Sequence, residues 1–118
     1  MVFNVIARNQ DGHVKNISFL MNQSGECRLS PAYDVTFAYN PNGLRTSRHQ
    51  MTINGKLDNI TYDDLIQSAE SMSIGHKKAD AIIAEVEDAV KKCPEFAEIA
   101  FLSEEQMEYV SDNFWNVR

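Results

Sequence analysis

Cysteine is scarce in this sequence, and the two residues present, Cys27 and Cys93, lie far apart in the chain. They form neither a CxxC pair nor a Cys/His spacing typical of a metal site, so we expect two free thiols, with Cys27 serving only in packing. No apolar run approaches the roughly 20 residues that cross a bilayer, and the first residues lack the features of a secretory signal. The sequence therefore predicts a cytoplasmic protein that does not enter a membrane.

The composition is that of one ordinary globular domain: 118 residues, 43% hydrophobic, 24% charged, with a net charge of −6. A domain of this size buries somewhat more than roughly 60% of its unfolded surface, so we expect one self-sufficient core. Residues 1–58 contain six Lys or Arg and four Asp or Glu, whereas residues 59–118 contain five and thirteen. Because an acidic surface repels phosphate backbones, we expect no direct nucleic-acid binding through the second half.

Short elements and loops are predicted for the first half of the chain. Apolar residues close to helical spacing predict a helix over 1–8, and the polar stretch 9–16 reads as a loop. Two short apolar segments, 17–21 and 27–29, are separated by a turn and predict a hairpin. Residues 39–59 contain two turn signals and no sustained period, which indicates a long loop.

Helices with clear start and stop signals are predicted for the second half of the chain. Thr61 with Asp64 three positions later, and Ser103 with Gln106, have the capping-box pattern that begins a helix. A further helix is expected over 75–92, followed by a short one that begins near Pro94. The predicted fold class is mainly α (α+β), a helical bundle with one small β-hairpin. The side chains expected to face inward from these helices are Leu65, Ile66, Ala69, Met72, Ala79, Ile82, Ile83, Val86, Ala89, Val90, Met107, Val110, Phe114 and Val117, and Trp115 is expected in the core or at a subunit contact.

The polar loop contains the residue types that phosphoryl transfer requires. Asp11 precedes Asn16 by five positions, which is the spacing of the protein-kinase catalytic loop. There the carboxylate accepts the proton of the substrate hydroxyl and the amide oxygen binds Mg²⁺. Asp34 follows the predicted hairpin and could supply the second hard oxygen ligand. The alternatives are a solvated turn with Asx-type hydrogen bonds for the loop, which also carries Lys15, and a cap or turn role for Asp34.

These segments resemble the C-terminal region of HipA-like kinases over essentially the whole chain. The residues that carry the resemblance are Phe3-Asn4, Asn9-x-Asp11-x-His13-x-Lys15-Asn16, Phe19-Leu20, Leu29-Ser30-Pro31-Ala32-Tyr33-Asp34, His49-Gln50-Met51, Asn54-Gly55-Lys56, Asp64-Leu65 and Pro94-Glu95-Phe96-Ala97.

The resemblance implies a bacterial serine/threonine protein kinase with a protein-kinase-like C-terminal lobe, often the toxin of a toxin–antitoxin pair. It implies that Asp11 is the catalytic base, that Asn16 and Asp34 bind Mg²⁺, that Lys15 lies near the transferred phosphoryl group, and that His13 shapes the loop or contacts its carboxylate. The single HipA-like domain, 1–118, would then consist of a catalytic loop with its hairpin at 1–38, a loop at 39–60 and a helical part at 61–118.

A glycine-rich phosphate loop and a strand lysine are missing from this sequence, although kinases use both to bind nucleotide. We therefore expect half of an active site, which binds ATP and Mg²⁺ only with an N-terminal lobe supplied in cis or in trans. Other expected partners are a protein substrate and a helix-turn-helix antitoxin. The alternative function is a non-catalytic module that binds a partner or regulator through its acidic helices.

Overall fold

The computed structural model describes all 118 residues and contains five helices and one two-stranded antiparallel sheet. The helices and strands are α1 (Val2–Ile6), β1 (Phe19–Met21), β2 (Cys27–Leu29), α2 (Tyr62–Ser71), α3 (His76–Lys91), α4 (Cys93–Ile99) and α5 (Glu104–Asp112), with a 3₁₀ turn at Val14–Asn16. The prediction of a mainly helical α+β chain with one hairpin is confirmed. No helix combines the length and the apolar character that crossing a membrane requires.

The core lies where α1, α2 and α3 meet, and the end of the chain holds it together. The indole N–H of Trp115 donates to the carbonyl oxygen of Ile60 at 2.7 Å, and its backbone N–H donates to Ile6 at 2.8 Å. The N–H of Tyr62 donates to the carbonyl oxygen of Val117 at 2.8 Å. Trp115 therefore belongs to the core. The buried side chains of this core are Val5, Ile6, Ile53, Ile60, Leu65, Ile66, Ala69, Ala79, Ile83 and Val117.

Several side chains differ from the expected pattern. Met72 is exposed because α2 ends at Ser71, and Ala89 on α3 is exposed as well. Val117 is buried, but it lies beyond the end of α5 and reaches the core through the C-terminal segment rather than through a helical face. The prediction that Cys27 serves in packing is wrong, because this residue is exposed. The spacing of apolar residues does not indicate where a helix ends or whether another element covers a strand.

The β1–β2 hairpin is exposed along its whole length. Phe19 pairs with Leu29, and all six strand residues are exposed on both faces of the ribbon. Phe19, Met21 and Leu29 are each more than 60% exposed. The hairpin therefore presents an apolar surface that this chain itself leaves uncovered.

The long loop is fastened to α2 by a tight turn. Ile53 and Lys56 exchange two backbone hydrogen bonds of 2.9 Å around Asn54 and Gly55, whose φ angles are +50° and +76°. Positive φ at both central positions is the type I′ turn for which Asn-Gly is preferred. The turn buries Ile53 in the core and presents Asn54 and Lys56 to α2.

The residues of this turn donate hydrogen bonds to the buried carboxylate of Asp64. Its side chain accepts hydrogen bonds from the Lys56 ammonium at 2.7 Å, from Asn54 Nδ2 at 2.9 Å, and from the backbone N–H and hydroxyl of Thr61, each at 2.8 Å. The Lys56 contact, followed by the Thr61 backbone, holds the pKa of Asp64 well below its ordinary value. The ionised carboxylate thus joins the α2 cap to the loop.

We expect Asp64→Ala to lower the free energy of unfolding at neutral pH by about 2 to 3 kcal/mol, because it removes a charged acceptor and a helix cap. Since the folded-state pKa is depressed, this stabilisation is present above about pH 4 and is lost as the pH falls from there toward the folded-state pKa. Urea unfolding at neutral and acid pH measures the difference in the free energy of unfolding between wild type and variant. This difference should become smaller in acid.

Asp88→Ala provides the matched control. Asp88 forms its ion pair with Lys91 at 3.0 Å, and both side chains are 73% exposed. Its removal should change the free energy of unfolding by less than about 0.5 kcal/mol at any pH. An Asp64→Ala effect as small as this would mean that the loop is not fastened to α2 through the carboxylate.

Candidate functional site

The polar loop after α1 is held beside the segment that follows the hairpin. The backbone N–H of Ala38 donates to Arg8 at 3.0 Å, and the N–H of Gln10 donates back to Ala38 at 3.3 Å, which makes a parallel bridge between Asn9 and Ala38. The turn into this bridge requires a φ of +55° at Arg8. The pairing brings the residues just before Ala38, including Asp34, next to the loop.

Arg8 is fixed from three sides. Its guanidinium lies 4.2 Å from the centroid of the Tyr39 ring and 4.6 Å from that of Trp115, and its Nε donates to the carbonyl oxygen of Asn113 at 3.0 Å. Cation–π contacts of this kind are favourable where the cation is partly desolvated. The residue directly before the polar loop is therefore anchored to the C-terminal segment of the chain.

Asn9 positions the backbone of Asp34. The Asn9 side chain is only 5% exposed, and its Nδ2 donates to the carbonyl oxygen of Asp34 at 3.1 Å. Asp34 has a φ of +55°, a left-handed conformation in which Asp and Asn are the best tolerated residues after glycine. A buried amide thus fixes the backbone that carries the exposed carboxylate.

Asn16 and Asp34, the two predicted metal ligands, are in direct contact. Asn16 Nδ2 donates to Asp34 Oδ2 at 2.5 Å, and Asn16 Oδ1 accepts from the backbone N–H of His13 at 2.8 Å. The Tyr33 hydroxyl donates to the carbonyl oxygen of Lys15 at 2.5 Å. Tyr33 and Asp34 therefore connect the segment after the hairpin to the end of the polar loop.

These side chains border a cavity of about 300 Å³. Its wall includes His13, Asn16 and Asp34 among the predicted site residues. Asp11 and Lys15 are exposed and lie outside this wall, although Gly12, next to Asp11, is part of it. The structure thus brings three of the five predicted residues to one cavity, while the other two lie on the same loop outside the cavity wall.

Three residues of this region have roles that the sequence did not suggest. Asn9 and Tyr33 belong to the family pattern, but their hydrogen bonds to the opposite segment depend on the tertiary fold. His49 is buried on the cavity wall, where burial, followed by the charge of Arg8, lowers its pKa. A neutral imidazole is therefore expected there at neutral pH. Its place in the segment His49-Gln50-Met51 was the one available signal.

The donor atoms at this contact suit a hard cation. Asp34 Oδ1 has no hydrogen-bond partner within the chain, and Asn16 Oδ1, which accepts one hydrogen bond, keeps a second lone pair. Mg²⁺ prefers oxygen ligands and is bound in many proteins by one or two carboxylates, with waters and phosphates completing the octahedron. The two side chains supply oxygens of this kind, and the Asn16 amide, whose Nδ2 now faces Asp34, would turn to bind the same ion through Oδ1.

Comparison with known proteins gives one finding. A model of the HipA-like C-terminal domain matches residues 1–93, which include the loop, the hairpin, Asp34 and helices α2 and α3. Searches of the curated proteins and of the solved structures return no match. Because the family match covers most of the 118 residues, this chain belongs to the family of HipA-like C-terminal domains.

Proposed function

We propose that this chain is the C-terminal, catalytic-lobe part of a HipA-like serine/threonine protein kinase, which transfers the γ-phosphoryl group of ATP to a protein hydroxyl. The observation that carries the proposal is the contact of Asn16 with Asp34 on the wall of the cavity. The kinase spacing of Asp11 and Asn16 and the membership in the HipA-like family support it.

The proposed chemistry divides the loop into a base and a metal-binding part. Asp11 is exposed and makes no side-chain hydrogen bond within the chain, so its carboxylate is free to accept the proton of an incoming Ser or Thr hydroxyl. Asn16 Oδ1 and the Asp34 carboxylate would hold Mg²⁺, which supplies charge neutralisation at the nucleotide phosphates. Lys15 is exposed on the same loop and would add positive charge near the transferred group.

His13 has a positioning role in this proposal. Its backbone N–H holds Asn16 Oδ1 at 2.8 Å, which fixes the plane of the amide relative to Asp34. The imidazole itself is exposed and borders the cavity. Because Nδ2 of the same amide faces Asp34, the binding of one cation by Oδ1 and the Asp34 carboxylate would require this amide to turn and to exchange both hydrogen bonds.

A second lobe, supplied in cis or in trans, belongs to the proposal. The exposed apolar hairpin lies between the loop and Asp34 in the chain and offers a surface that such a lobe could cover. The lobe would provide the phosphate-binding elements that kinases use, so ATP binds strongly only when it is present. A role as the toxin of a pair with a helix-turn-helix antitoxin follows from the resemblance to HipA-like kinases.

The test of this function joins the chain to an N-terminal lobe of a HipA-like kinase, in cis or in trans, and follows radiolabel from γ-labelled ATP to protein Ser or Thr. We expect transfer from the two-lobed protein that depends on Mg²⁺ and little transfer from the 118 residues alone. An intact two-lobed protein that transfers no label would contradict the kinase proposal and favour a non-catalytic partner-binding module.

A further inference from the structure

Helix α4 ends in a turn whose key position holds an unexpected residue. The N–H of Phe101 donates to Glu98 at 3.1 Å and the N–H of Leu102 donates to Ala97 at 3.0 Å, which is the hydrogen-bond pattern of a Schellman motif. Phe101 occupies the left-handed position of that motif with a φ of +57°. Glycine is usual there because a side chain at positive φ is sterically disfavoured, and most so a bulky one.

The strained phenylalanine gains nothing from packing within the chain. Phe101 is 95% exposed, so almost none of its ring is removed from water. Ser73 occupies the corresponding position after α2 with a φ of +60°, and the residue after it, Ile74, packs against the core. A strained backbone at an exposed aromatic residue indicates that its side chain serves in contact with another molecule rather than in the stability of this chain.

Other apolar side chains are exposed beside Phe101. Phe96 and Ile99, three positions apart on one face of α4, are 60% and 73% exposed, and Leu102 is 41% exposed. We call Phe96, Ile99, Phe101 and Leu102 the α4 patch. Clusters of exposed apolar side chains on a folded domain typically mark interaction sites. None of these residues borders the cavity at Asn16 and Asp34.

The charge within α4 and α5 is of one sign, whereas Lys91 and Lys92 lie directly before α4. Residues 93–112 contain no Lys, Arg or His, and none of their acidic residues forms an ion pair within the chain. We call the acidic residues of this segment the acidic rim; they are Glu95, Glu98, Glu104, Glu105, Glu108 and Asp112. An anionic membrane or a nucleic acid would be repelled by this rim. A second copy in a symmetric dimer would place two acidic rims against each other.

We propose that the α4 patch binds a basic amphipathic segment of another protein, with an apolar stripe that packs on Phe101 and Lys or Arg residues that face the acidic rim. Aromatic anchors surrounded by complementary charge are the usual arrangement at such interfaces. The four residues of the α4 patch lie beyond residues 1–93, which match the model of the HipA-like domain. The patch is separate from the phosphoryl-transfer site and does not depend on the kinase proposal.

The test uses the full 118-residue chain and a fluorescent synthetic helix of Leu and Lys with amphipathic spacing. Its binding is measured by fluorescence anisotropy at physiological ionic strength. We expect Phe101→Gly to weaken binding more than about tenfold, since it removes the anchor. The double change Glu95→Gln with Glu98→Gln should weaken binding by a similar factor, because it removes two charges of the rim.

Two controls separate the surface from general effects. Glu70→Gln with Glu85→Gln removes the same charge from exposed positions on α2 and α3 and should leave affinity within about twofold. Phe101→Gly should melt at the wild-type temperature or a few degrees higher, because glycine relieves the strain at positive φ. Lost binding in that variant therefore cannot be ascribed to unfolding.

Wild-type affinity in Phe101→Gly would overturn the proposal. So would equal losses in the two double variants, since that result would assign binding to net charge alone. Equal binding of a helix in which Glu replaces Lys would also overturn it.

Discussion

Replacing Asp11 by Asn in the two-lobed protein is expected to lower the turnover of phosphoryl transfer by roughly 10² or more, because it removes the carboxylate that we propose as the base for the hydroxyl proton. The fold should not change, since the Asp11 side chain is exposed and makes no hydrogen bond within the chain. Nucleotide affinity should also be unchanged, because the proposed Mg²⁺ ligands Asn16 and Asp34 remain. Steady-state phosphoryl transfer, nucleotide binding and a thermal melt of the same two proteins measure these three quantities.

Asp112→Asn is the control for this substitution. It removes the same charge from an exposed position at the end of α5, remote in sequence from the loop. We expect wild-type turnover in the control. If Asp11→Asn also turns over at the wild-type rate, Asp11 is a residue of a solvated turn and the base must be sought elsewhere.

Asp34→Asn is expected to abolish phosphoryl transfer in the two-lobed protein and to leave the stability of the 118-residue chain nearly unchanged. The left-handed backbone at φ +55° accepts Asn as readily as Asp. The side-chain oxygen of Asn can still accept from Asn16 Nδ2, and the backbone hydrogen bond from Asn9 does not involve the carboxylate. Only the negative charge that a cation requires is lost.

Thermal melts without metal, beside a kinase assay of the matching two-lobed pair, distinguish a ligand from a structural residue. We expect melting temperatures within about 2 °C of each other, a shift that corresponds to well under 1 kcal/mol in a domain of this size. Asp34→Ala serves as the comparison, because alanine is disfavoured at positive φ and should lower the melting temperature further. A large drop in Asp34→Asn itself would assign Asp34 to a structural cap.

The local elements could be predicted from the sequence because their signals are short. The capping boxes of Thr61 with Asp64 and of Ser103 with Gln106 both begin helices, as their patterns indicate. The hairpin and the Asn54-Gly55 turn also depend on neighbouring segments of the chain. For such features the interacting groups and the signal lie in the same short stretch.

The end of a helix and the exposure of a strand are harder to predict from the sequence. Met72 has the spacing of an inward residue, yet α2 ends before it, and the residues of both hairpin strands are exposed. Periodicity describes which residues share a face, whereas burial depends on whether another element covers that face. The exposure of Phe101 belongs to the same class, because nothing in its local sequence reveals its backbone conformation.

The sequence by itself determined the helical α+β class, the helix caps and the presence of a kinase-like Asp–Asn spacing. Only the tertiary structure decided that Asn16 touches Asp34, that Asn9 is buried beneath the backbone of Asp34, and that Trp115 ties the chain end to α1. These contacts join residues far apart in the chain, and their formation depends on the whole core closing around α1 and α2. Local propensity carries no information about such pairs, since their loop-closure cost is offset only by packing that involves many other residues.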